Sequence, residues 1–91
     1  MAAISLPLID REDYTAFRRV LHMHLPATFD EWLYLHSVEM ADIVESGNTA
    51  HDVRVHSSDF AGYCDLTRST RDLPNLALFT EGTARVNRSR H

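Results

Sequence analysis

The stretch TFDEWLYLHSVEMADIVESGN, residues 28–48, decides the fold. Thr28 and Glu31 stand at the spacing of a capping box. The Thr28 hydroxyl accepts from the amide of residue 31, and the Glu31 carboxylate reaches back to the amide of Thr28. The segment closes on Gly47-Asn48, two residues that tolerate the left-handed conformation in which helices end. Between these signals the spacing predicts a helix over 28–46. At about 100° per residue, Phe29, Trp32, Leu33, His36, Met40, Ile43 and Val44 share one broad apolar face. Tyr34, Leu35 and Val38 lie on the other side, among acidic residues. A helix apolar on so much of its circumference is expected at the centre, packed from two directions, one of them open to a second subunit.

The flanking segments read as satellites of that helix. Asp10 and Asp13 suit a helix start, and Tyr14, Phe17, Val20 and Leu21 follow at helical spacing until Pro26 stops the run. After Asn48, Val53 and Val55 alternate with Arg54 and His56, which predicts a short strand over 52–56. One strand cannot stand alone. It pairs either with residues 3–9, at an edge, or with its own copy across a dimer. Ser57-Ser58-Asp59 offers a cap for a third helix carrying Phe60, Tyr63 and Cys64. Asp72-Leu73-Pro74 opens a fourth, with Leu73, Leu76, Phe79, Thr83 and Val86 on one side. The fold class expected is α+β, mostly α, with about four helices around the helix at 28–46. Residues 1–91 form a single domain, with a frayed polar tail at 87–91.

Ninety-one residues suffice for one domain, and a chain this short gains from burying area against a partner. All nine basic residues are arginine, and the net charge is −4. Residues 1–50 hold three arginines against eight acids, and residues 51–91 hold six against five, so the acidity sits in the first half. Such a balance argues against coating nucleic acid or an anionic membrane. The single cysteine, Cys64, cannot form an internal disulfide and favours a reducing compartment, so a cytoplasmic location is expected. No run of apolar residues reaches membrane-spanning length.

The residues able to carry chemistry are few. His22 and His24, two apart, diverge on a helix and share no metal. His36 and Glu39 form H-x-x-E on neighbouring helical positions, a pair that could hold a metal if further ligands joined it. His36 also sits within the apolar face, where a core histidine satisfied by a polar neighbour is the plainer reading. Cys64 lies beside Phe60 with no basic cluster, as an inert buried thiol does. No nucleophile elbow, phosphate loop or dinucleotide fingerprint occurs. No cofactor is expected.

These observations point to a small intracellular protein, not an enzyme, that acts through self-association, most simply as a homodimer, or through a protein partner. Tyr34, Leu35, Val38, Val53 and Val55 are the interface candidates. The order strand, helix, turn, helix over residues 52–86 also resembles the ribbon-helix-helix regulators, in which strands pair across a dimer and enter the major groove. That resemblance implies DNA contacts from Arg54, His56, Arg68 and Arg71. The acidic balance, the absence of lysine, and Pro74 and Gly82 in the last helix depart from the pattern. A third alternative is a small metal-binding protein that uses His36 and Glu39.

Overall fold

The computed structural model describes residues 2–89. The fold is α+β and mostly helical: β1 (Ala3–Ile9), a 3-10 turn (Arg11–Asp13), α1 (Tyr14–Val20), α2 (Phe29–Glu45), β2 (Thr49–Val55), α3 (Ser57–Thr67) and α4 (Leu73–Ser89). The strand read at 52–56 begins three residues earlier. Its partner is the first of the two alternatives, residues 3–9 of the same chain. β1 and β2 run parallel, in register from Ala3 opposite Thr49 to Ile9 opposite Val55. The Ala2 carbonyl accepts from the Thr49 amide at 2.9 Å, so even-numbered backbone groups of β1 face β2 and odd-numbered ones face outward. Pro7 therefore spends its missing N–H on the open edge, where no partner strand needs it. Ser5, on the same edge, donates its N–H to Glu81 Oε1 at 3.4 Å.

The periodicity places α2 at the centre; the structure gives that place to the strand pair. α2 buries only Trp32 and His36. Side chains alternate along a strand, so Asp52, which meets α2, and the buried Val53 and Val55 lie on opposite faces of β2. α2 packs against β2 on one face, and α4 packs on the other, where Phe17 of α1 and Phe60 of α3 join Ile9 and Val55 in one core. Ile9, Phe17, Leu21, Val55 and Phe60 form the dry centre. A strand covered on both faces reads as a nearly unbroken apolar run, which is what Ile4 to Ile9 shows.

Several caps differ from the sequence reading. Asp10 makes no side-chain cap; its carboxylate holds Arg54 at 3.2 Å. α1 ends at Val20, before Pro26, because His22 and Met23 turn left-handed at φ 53° and 65°. The α3 start is capped from a distance. Asp13 accepts from the Ser57 amide at 2.7 Å and from its hydroxyl at 2.5 Å. Asp72 caps α4 as read, accepting from the Asn75 amide at 3.0 Å. α4 runs helically through Ser89, across most of the stretch read as a frayed tail; residues 90 and 91 lie outside the described residues.

Candidate functional site

α2 presents two different surfaces. Its inner side is built on Trp32 and His36, one turn apart. Their rings stack with centroids 5.0 Å apart and planes 27° from parallel. His36 Nε2 lies 2.7 Å from Asp52 Oδ1 of β2. A carboxylate can only accept, so the imidazole nitrogen donates. This bond fastens α2 to the strand pair. Asp52 stands opposite Leu6 in the sheet register, which sets the carboxylate on the face that α2 covers.

His36 is 8% exposed and opens on one flank into a groove of about 530 Å³. The groove runs between α2, α4 and the open edge of β1, and Ile4, Pro7, Leu35, Leu73 and Ala77 are among its apolar lining residues. Glu39 joins this wall, but the hydrogen bond of His36 goes to Asp52. Among the described residues, no group of three or more histidines, cysteines or carboxylates is placed to hold a metal ion. A metal site takes three or four ligands, and among the described residues no third ligand group is placed with His36 and Glu39.

Cys64 is buried against the core, where its thiol makes a long contact of 3.8 Å with the Thr70 carbonyl. Burial pushes its pKa up, and Asp65 and Asp72 add to the rise against the opposing pull of Arg71. A thiol so placed is mostly protonated at neutral pH, as an inert cysteine is.

The outer side of α2 is open. Tyr34, Leu35 and Val38 are 68%, 54% and 41% exposed; Leu33 and Val44, on the flank of the helix nearer His36, are exposed as well. Val53 and Val55, the other two interface candidates, turn into the protein's own core, at 7% and 2% exposure. The four residues suggested by the ribbon-helix-helix resemblance are scattered in role. Arg54 holds Asp10, Arg71 holds Asp65 at 3.0 Å, His56 precedes α3, and Arg68 ends it in a left-handed turn. The strand that the resemblance would pair across a dimer is paired in parallel with β1 of the same chain.

Asp52 is the site residue that sequence reading misses. Its parity sets it with Arg54, away from Val53 and Val55, and so on the side that looks wet. Only the placement of α2 over that face reveals it as the partner of His36.

No protein-family model matches this chain, and comparison with curated proteins and with solved structures finds no match either. No helix among the described residues is long and apolar enough to cross a membrane.

Proposed function

We propose that the protein acts by association, as a docking module whose partner protein sits on the outer side of α2. One observation carries this reading: on the side of α2 turned away from the buried Trp32 and His36, three large apolar side chains, Tyr34, Leu35 and Val38, face solvent. Single exposed apolar residues are ordinary on any surface, but a run of them on one helix is what interaction sites present. Tyrosine is also enriched where interfaces concentrate their energy. The homodimer is the simplest form of association. The demand for a second copy to complete the sheet has gone, because β1 completes it, so a different protein serves equally well as the partner.

The test is genetic and works whatever the pathway. Tyr34, Leu35 and Val38 are replaced together by serine in the cell of origin. Exposed substitutions of this kind cost little stability, within about 0.5 kcal/mol each. The folded variant should reproduce the phenotype of deleting the gene, whereas serine at Leu66 and Leu78, both exposed elsewhere on the surface, should not. Full function in the α2 triple variant would contradict the reading.

A further inference from the structure

The outward stripe of α2 carries Tyr34, Val38, Ala41 and Glu45, at the spacing of a coiled-coil seam. All the charge along the helix has one sign. Asp30, Glu31, Glu39, Asp42 and Glu45 lie within Phe29–Glu45, with no arginine among them. Asp30 is held by Arg11 at 3.0 Å, and Glu31 by the Thr28 hydroxyl at 3.0 Å. A shallow hollow of about 430 Å³ opens at the same end, bounded by Asp30, Glu31, Tyr34 and Leu35. Asp30 already has a guanidinium partner in Arg11, so Glu31, whose partner is a neutral hydroxyl, is the uncompensated charge that, beside an aromatic ring and an aliphatic side chain, suits a long cationic side chain. A cationic side chain bound there would lay its stem along Leu35 and its charge beside Glu31 and over the Tyr34 ring.

This charge pattern selects the occupant. A second α2 docked on the first would set one all-acid helix against another, and like charges facing across a helix pair destabilise it. Nucleic acid and anionic lipid are repelled for the same reason. We propose that the outer face of α2 receives a basic amphipathic helix of a partner protein, roughly two heptads long, with apolar side chains on the Tyr34–Val38–Ala41 seam and an arginine or lysine in the hollow beside Tyr34. The proposal rests on the docking reading above and names the chemistry of the partner.

The probe is a synthetic helical peptide of two heptads with leucine at the seam positions and arginine on both flanks. The comparisons are the same peptide with glutamate flanks and an arginine peptide of scrambled order. Binding to the full chain is followed by fluorescence anisotropy, with circular dichroism confirming the fold of each variant. The arginine-flanked helix should bind saturably and weaken as salt is raised. Tyr34→Ala with Val38→Ser should weaken it about tenfold or more. Asp42→Asn with Glu45→Gln should weaken it several-fold, on the order of one surface ion pair per charge. Equal binding of the glutamate-flanked helix would overturn the charge selection and leave the docking reading standing. Binding indifferent to Tyr34→Ala and Val38→Ser, or a dimer of this chain dissociated by Val38→Ser, would overturn the proposal. The serine triple variant in the cell decides the docking reading by itself.

Discussion

His36 carries two tasks at once: it stacks on Trp32, and it ties α2 to β2 through Asp52. The two partners do not share the cost of losing the bond equally. His36 is 8% exposed, while the Asp52 side chain is 35% exposed and can turn to water. His36→Ala removes a buried ring and a charge-assisted bond and should cost about 2–4 kcal/mol. Asp52→Asn keeps the volume and an acceptor and should cost about 1 kcal/mol or less. Urea unfolding of the two variants checks the order, and Asp52→Asn as the more damaging change would contradict it. A histidine on the apolar face, needing a polar neighbour, is legible in the sequence. The identity of that neighbour is not. Helical spacing offers Glu39, and the answer lies sixteen positions on, in a strand whose covered face depends on tertiary placement.

At the scale of elements, local signals are read well where they are self-contained. Thr28 accepts from the Glu31 amide at 3.1 Å, as the capping box requires, although the Glu31 carboxylate meets the Thr28 hydroxyl and not its amide. Gly47 takes φ 83° and ends the helix region. Caps that come from elsewhere are invisible: nothing near Ser57 in sequence points to Asp13. Asp72 gives the clearest pH signature. Its bonds from the Thr70 hydroxyl and the Asn75 amide hold its carboxyl below the ordinary value of 3.8. The unfolded chain therefore binds the proton more readily. The cap stabilises the start of α4 fully above the unfolded value, and that contribution is lost as pH falls through the lower folded one. Asp72→Asn keeps an acceptor but cannot titrate, so its acid-unfolding curve by circular dichroism should be shallower on this limb than that of the parent. Superimposable curves would contradict the assignment.

For the whole molecule, the fold class is legible and its centre is not. Counting apolar positions makes residues 28–46 look like the hub, because periodicity records how apolar a face is and not what covers it. β1 has no alternation to announce it, since both its faces are covered, and Pro7 disguises it further. Once β1 is in place, the strand pair takes the centre. The second apolar side of α2 is then left over, exposed on a helix whose charge is wholly acidic. That surplus is the root of the functional account. Both strand edges are managed within the chain or carry polar residues: Pro7 and the Glu81 contact blunt β1, while Asp52 and Arg54 mark β2. Among the described residues, none covers Tyr34 and Val38 on the outer face of α2 in this way.

Photo-crosslinking from position 34 tests that account most directly. A photoreactive phenylalanine analogue replaces Tyr34, which is 68% exposed, and a control chain carries it at Leu66, which is 89% exposed. On illumination in the native cell, position 34 should give one discrete adduct with a partner protein, and position 66 should give none. Identical patterns from both positions, or no adduct from position 34, would contradict the claim that α2 is where this protein meets its partner.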